Sequence, residues 1–289
     1  MGAKEYRTVS QARSGLLTLT DAPNVAFGDR VLIRDRSGLS RNGQVIRSAR
    51  REVLVQVFEG TDNLDIEHTW VRFLDQPLEI ALSPEILGRI FSGLGEPRDY
   101  RPPIVSNLHR NINAAPFNPS ARTYPREFIQ TGISTIDGLN SLVRGQKLPI
   151  FSASGLPHNR LAAQIVRQAK LPDEDARFAI VFAAMGVSYA DARFFKDEFA
   201  SSGVLSNVVM FVNRADDPPV ERLTLPRMAL TAAEYLAFDL DLHVLVVMTD
   251  MTHYAEALRE VATAKGDVPA RKGYPGYLYS DLAEIYERS

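Results

Sequence analysis

The run Ser152-Ala153-Ser154-Gly155-Leu156-Pro157-His158-Asn159 stands where a phosphate-gripping loop would stand, between an apolar segment, Lys147 to Phe151, and an amphipathic one starting at His158. A working loop of this kind reads Gly, four residues, then Gly-Lys-Ser/Thr. Its backbone N–H groups cradle phosphates, the lysine reaches the outer phosphates and the hydroxyl holds magnesium. Laid on that pattern, the run offers Ser152 and Pro157 for the two glycines, His158 for the lysine and Asn159 for the hydroxyl. Pro157 removes one N–H donor from the cradle. His158 is mostly neutral near neutral pH and shorter than lysine, so it is a poor fixed cation. Asn159 can bond magnesium-bound water but is not a hydroxyl ligand. What survives is Gly155, flanked by the Ser154 hydroxyl and the loop amides through Leu156, enough to hold a phosphate weakly. The same residues also read as a plain strand-to-helix turn with no ligand.

Asp250 ends the apolar run Val244–Thr249, where an acid would help order magnesium in phosphoryl transfer. The plainer reading is a turn or N-cap aspartate ahead of a helix near 253. A hydrolase of this layout also needs a carboxylate to orient the attacking water, most naturally in the loop after the run 178–184. That loop, Met185-Gly186-Val187-Ser188, holds no acid. Asp191 is close by but reads as first-turn helix charge. General-base chemistry thus finds no bearer.

Histidines 68, 109, 158, 243 and 253 are scattered, with no metal-ligand spacing, and no serine sits in a nucleophile elbow. The stretch Pro269-Ala270-Arg271-Lys272-Gly273-Tyr274-Pro275-Gly276-Tyr277-Leu278-Tyr279 mixes aromatics and cations. Arg271, Tyr274 and Tyr277 read either as a contact surface or as a packed loop with snorkelling side chains.

Elements of two kinds must position these residues. The first 75 residues show short apolar or alternating runs at 15–20, 30–34, 43–48, 52–58 and 69–74. Turn formers separate them at Asp35-Arg36-Ser37-Gly38, Asn42-Gly43 and Glu59–Asn63, the pattern of a small barrel or sandwich. Residues 76–127 are rich in Pro and Gly and read as a connector with one short helix, Pro84 to Phe91. From 128 onward strands alternate with helices: strand 147–151, helix 158–170, strand 178–184, helix 189–201, strand 206–212, helix 226–239, strand 243–249, helix 253–265. The runs at 178–184 and 243–249 are apolar on both faces, as in parallel sheets covered by helices. Pro226 reads as a first-turn proline, and Gly203 and Gly266 as C-terminal caps. Ligands of such sheets bind beyond the carboxyl ends of the strands, where a helix N-terminus meets a phosphate.

The 289 residues are 45% apolar and 24% charged, an ordinary globular composition with room for about two domains. A net charge of −2 gives no global field for nucleic acid or an anionic membrane. There is no cysteine, so disulfides and thiolate metal sites are excluded, which fits a reducing compartment. The first residues carry no apolar signal core, and no window has the roughly 18 apolar residues of a membrane span. Internal repeats and low-complexity tracts are absent.

Several stretches resemble the B subunit (beta chain) family of V/A-type rotary ATPases, the regulatory, non-catalytic partners of the catalytic A subunits. They are Asn42-Gly43-Gln44-Val45-Ile46, Gln56–Thr61, Phe128–Asp137, Leu142–Pro149, Pro226–Ala237, Met248-Thr249-Asp250-Met251-Thr252 and Gly273–Tyr279. They run nearly end to end, and the degenerate loop Ser154–His158 is itself typical of that family. The resemblance implies a six-stranded-type N-terminal β-barrel over 1–75, the connector over 76–127 and a RecA-like P-loop α/β domain with a mostly parallel sheet over 128–289. It implies a regulatory subunit in an alternating three-plus-three ring with the catalytic A subunit, around central shaft subunits and held by a peripheral stalk. Such a head lies on the cytoplasmic side of a membrane, touches it only through the rotor, and couples ATP synthesis or hydrolysis to proton or sodium transport. The loop at 269–279 matches the family's shaft-facing region. No cofactor is required, with ATP or ADP and magnesium at a non-catalytic site as the one candidate ligand.

Family members continue past the last residues, Asp281–Ser289, which fall inside an expected helix. The C-terminal helical domain, the last central strands and an arginine offered to the neighbouring catalytic site are expected to be missing, so the α/β part is incomplete on its C-terminal side. A sheet cut short leaves an open edge, and association of the isolated chain is expected. Two competing functions remain: an assembly module that binds no nucleotide, and an active NTPase using His158, Asn159 and Asp250.

Overall fold

A computed structural model describes residues 4–13, 15–22, 25–36, 38–49, 52–115, 118–172 and 177–288. The chain divides into two compact units. The first holds Met1–Glu79 with Pro218–Glu221 and Ala257–Pro275; the second holds Ile80–Asp217, Arg222–Glu256 and Gly276–Ser289.

The first unit is built on seven strands: β1 (Lys4–Tyr6), β2 (Val9–Arg13), β3 (Leu16–Thr20), β4 (Arg30–Arg34), β5 (Ser40–Ser48), β6 (Glu52–Val57) and β7 (Trp70–Phe73). They form one antiparallel sheet in the order β1-β7-β4-β5-β6-β3-β2. Alternation decides which side faces in. Leu17 and Leu19 of β3, Val31 and Ile33 of β4, Val53 and Val55 of β6, and Val71 and Phe73 of β7 pack into one core. β1 and β2 lie at opposite ends of this order, yet Arg7 and Thr8 alone separate them, a reach of about 10 Å. The sheet must therefore curl until its ends approach, with one bent N-terminal strand serving both edges. The result is a strand-rich, curled sheet, a half-barrel. Gly43 lets β5 approach β6: a Cβ there would lie 2.6 Å from the Gln56 carbonyl oxygen. All five expected runs are strands. β1 and β2 escape sequence reading because they are short and largely polar, with no buried alternation. In the expected turn Asp35–Gly38, Ser37 lies outside the described residues.

The second unit contains β8 (Glu79–Ala81), β9 (Ile90–Phe91), β10 (His109–Asn111), α1 (Ser134–Leu139), α2 (His158–Gln168), β11 (Phe178–Val187), α3 (Tyr189–Ser201) and β12 (Val208–Arg214). α4 (Pro219–Glu234, in this unit from Arg222 on), β13 (His243–Thr249), α5 (Met251–Lys265, in this unit as far as Glu256) and α6 (Leu278–Tyr286) complete the order. β9 and β11–β13 make a parallel sheet in the order β13-β11-β12-β9. The core includes Ile180, Phe182, Met210 and Val212 of the sheet with Ile165 and Val166 of α2. Phe195 and Phe199 of α3 join it, their rings 4.7 and 5.1 Å from that of Phe182.

Four expectations are corrected. The helix expected at 84–91 is a 3-10 turn, Pro84–Ile86, followed by β9. Two residues, Ile90 and Phe91, are too few to show a strand period, and their parallel pairing to β12 comes from far along the chain. The strand expected at 147–151 makes no ladder among the described residues. Pro149 cannot donate a ladder bond, and the run pairs with none of the described strands. Pro226 lies inside α4, not at its start: the helix begins at Pro219, which takes the first-turn place. The end of the expected helix 226–239 unwinds into a π-turn, Tyr235–Asp239. Gly203 and Gly266 do follow α3 and α5 in left-handed conformation, and Asp267 N–H reaches back to the Ala262 carbonyl, closing the end of α5.

Candidate functional site

Parallel strands end together, so β11, β12 and β13 deliver Val187, Arg214 and Thr249 to one end of the sheet. The loop 151–157 is exposed along its length, with Phe151 91% exposed. Its turn is tight: Leu156 N–H donates to Ala153 O at 3.3 Å, and Gly155 sits at φ 85°, where a Cβ would be strained. Pro157 caps α2 without a side-chain bond, and the first turn of α2 has no acid. The His158 ring lies 3.0 Å from the Leu156 carbonyl oxygen through Nδ1, folded back on its own loop. Asn159 is tied to the sheet, with Thr249 Oγ1 donating to its Oδ1 at 3.4 Å. The two stretches singled out by sequence, 152–159 and 249–250, therefore do converge.

Asp250 accepts a hydrogen bond from Thr252 N–H at 2.8 Å, the geometry of a cap on α5. Val187 is 3% exposed, the Ser188 hydroxyl accepts from Asp191 N–H at 3.0 Å, and that hydroxyl donates to Asp191 Oδ2 at 2.7 Å. The loop after β11 thus spends its polar groups on starting α3.

The groups that do gather at this end were not singled out by sequence. Asn213, fully buried on β12, accepts from Gly186 N–H at 3.2 Å and from Arg222 Nε at 2.8 Å, both through Oδ1. His253 Nδ1 lies 3.1 Å from the Met185 carbonyl oxygen. Gly186 has φ 61°, and a Cβ there would come within 2.9 Å of both Arg222 and His253. A polar residue closing an apolar strand at its carboxyl end was the available signal for Asn213. Beside it, Asp217 is shaped by burial, which pushes its carboxyl up, and by Arg98 and the Arg214 N–H, which outweigh burial and hold it below the usual carboxylate range.

The residues present do not fit a magnesium triphosphate held for transfer. No cation reaches the loop from position 158, no acid stands at 187, and the Asn159 carboxamide is already engaged. Among the described residues no group of three His, Cys, Asp or Glu could hold a metal ion. No helix among them is long and apolar enough to cross a membrane.

The loop at 269–279 falls in both units. Within the first, Ala270 N–H donates to Tyr274 O at 2.8 Å, Arg271 is exposed, and the Arg259 guanidinium lies 5.1 Å over the Tyr274 ring. In the second, Tyr277 precedes α6 and is 41% exposed.

The sequence model of the ATP synthase alpha/beta family, nucleotide-binding domain, matches residues 132–289. A curated V-type ATP synthase beta chain from Nitrosococcus oceani is 73% identical to this chain over 289 residues, which are all of this chain and 60% of that protein. The chain therefore spans about 60% of the length of that relative.

Proposed function

The chain belongs to the ATP synthase alpha/beta family, and from that premise we propose that it serves as a non-catalytic, regulatory beta chain of a V-type rotary ATP synthase. The observation that carries this reading is Val187, a buried apolar side chain at the end of β11 where a water-orienting carboxylate is needed. His158 in the lysine position supports it. Phosphoryl transfer depends almost wholly on positioned charge, and both positioned charges are lacking.

Its mechanism is interfacial. The chain packs against a catalytic A subunit in a three-plus-three ring and forms the second wall of that subunit's ATP site. Central shaft subunits turn within the ring and switch the interface between open and closed packings. A peripheral stalk holds the ring, and proton or sodium flow through a membrane rotor is coupled to ATP synthesis or hydrolysis. Arg271, Tyr274 and Tyr277 are the proposed contacts to the shaft. Ser154, Gly155 and the loop amides are the groups left for a phosphate, so ATP or ADP is held weakly at most, and no cofactor is required.

Mixing the purified chain with the catalytic subunit of the same organism tests the reading. Co-elution of the two, with Arg271→Glu weakening capture of the shaft subunits, is the expected result; elution apart contradicts it. A second reading, an assembly module that binds no nucleotide, is favoured by the engaged Asn159 carboxamide. Titration with labelled ADP separates the two, since saturation at micromolar levels excludes the second.

A further inference from the structure

Helix α6 takes no part in the site above, yet it buries charge. Asp281 lies in its first turn and Arg288 just past its last, seven residues apart. On α4, Arg227 and Glu234 are also seven apart. Seven residues are two helical turns, so each pair lies along one face of its helix. The pairs meet in order. Arg227 donates to Asp281 Oδ1 at 2.7 Å, and Arg288 grips Glu234 with two bonds of 2.8 Å, one to each carboxylate oxygen.

The sign order is reversed between the helices: positive then negative along α4, negative then positive along α6. That reversal selects a parallel direction. A reversed α6 would set Arg288 against Arg227 and Asp281 against Glu234. It selects a register too, because a seven-residue slide would bring Asp281 to Glu234. Neighbours complete both clasps. Tyr254 of α5 donates to Asp281 Oδ2 at 2.5 Å and accepts from Arg227 at 3.0 Å. Thr231, one turn before Glu234, accepts from Arg288 at 2.8 Å, and the Ile112 carbonyl accepts from it at 2.7 Å. Arg288 is 4% exposed and Tyr254 fully buried. The one apolar side chain of α6 that is wholly buried is Ile285. Apolar burial is non-directional and tolerates sliding, whereas a buried charge deprived of its partner does not.

We propose that the two clasps are a register lock that fastens α6 to α4 as one rigid piece. Residues 271–277 lead directly into α6, so a displacement there is passed to α4 instead of being lost in sliding. Beyond the far end, Glu287 pairs with Arg122 at 2.6 Å and with Lys147 at 3.4 Å, so the same piece reaches the segment leading into Ser152–Asn159. The lock goes beyond the proposed subunit role and holds without it.

Hydrogen exchange on the full chain tests it, comparing wild type, Glu234→Gln and the double exchange Glu234→Arg with Arg288→Glu. Glu234→Gln is expected to speed exchange of the α6 amides by about tenfold or more while β11 and β12 keep theirs. The double exchange, which restores an opposite pair, is expected to return most of the protection. Unchanged α6 exchange, a rise shared equally by β11 and β12, or a double variant as unprotected as the single one would each overturn the lock.

Discussion

Arg222 Nε and Asn213 Oδ1 are 2.8 Å apart, and that bond closes the carboxyl end of the sheet. The same oxygen takes the Gly186 N–H, so strand β11, strand β12 and helix α4 are joined by one carboxamide. Gly186 is what makes room for it. Gly186→Ala places a methyl 2.8 Å from Arg222 Nε on a backbone at φ 61°. Left-handed strain alone costs about 1–2 kcal/mol, and the displaced guanidinium adds to it. A loss of about 2–3 kcal/mol in urea unfolding is expected.

Adding the missing acid does not restore chemistry. Val187→Glu puts a carboxyl at a side chain 3% exposed, among apolar neighbours. The variant is expected to lose about 3 kcal/mol of stability. It is also expected to release no phosphate from ATP, alone or with His158→Lys, when assayed by a coupled-enzyme readout.

Arg89 and Asp99 form a further buried pair, with the guanidinium reaching both carboxylate oxygens at 2.5 and 3.1 Å. Burial pushes the Asp99 carboxyl up, but Arg89 and the N–H groups of Arg101 and Ile90 outweigh it and hold it below the usual range. Asp217 is held low in the same way. A carboxyl that ionises more readily folded than unfolded takes up its proton later than the unfolded chain as pH falls. Its stabilisation is therefore complete above the unfolded value, about 3.9, and drains as pH drops through the lowered folded value. Urea midpoints are expected to hold between about pH 7 and 5 and to fall below about pH 4. Arg89→Met strands the buried carboxylate and is expected to cost about 3–5 kcal/mol near neutral pH. The gap to wild type should narrow on acidification, because the stranded Asp99 then gains from protonation.

Much of this fold is legible in the residues, and the exceptions have physical causes. Runs apolar on both faces announced β11 and β13, and glycines past α3 and α5 announced their ends, because local pattern and tertiary demand agree there. β9 stayed hidden because its partner is β12, over a hundred residues on. The run 147–151 misled because apolar composition says a segment wants burial, not that it joins a ladder. At the candidate site the gaps in the loop were legible as residue types. The Gly186–Asn213–Arg222 closure was not, since it depends on which side chains three separate elements bring together. The clasp of α6 on α4 was hidden for the same reason: its seven-residue spacings are visible only once the helices are placed side by side.

β13 has a ladder partner on one side only among the described residues, and Ile150 and Phe151 are 49% and 91% exposed. An apolar strand with an open edge invites pairing with another chain. Sedimentation of the isolated chain at roughly micromolar to tens of micromolar concentration should show concentration-dependent association, and Phe151→Lys should shift it toward monomer. A single sharp monomer boundary across that range would contradict this.

The central claim is that this chain lacks the charges for phosphoryl transfer and leaves that chemistry to a partner. Phosphate release by the purified chain with magnesium and ATP, measured beside Asp250→Ala, tests it most directly. The account predicts background release in both. Release above background that Asp250→Ala abolishes would contradict it.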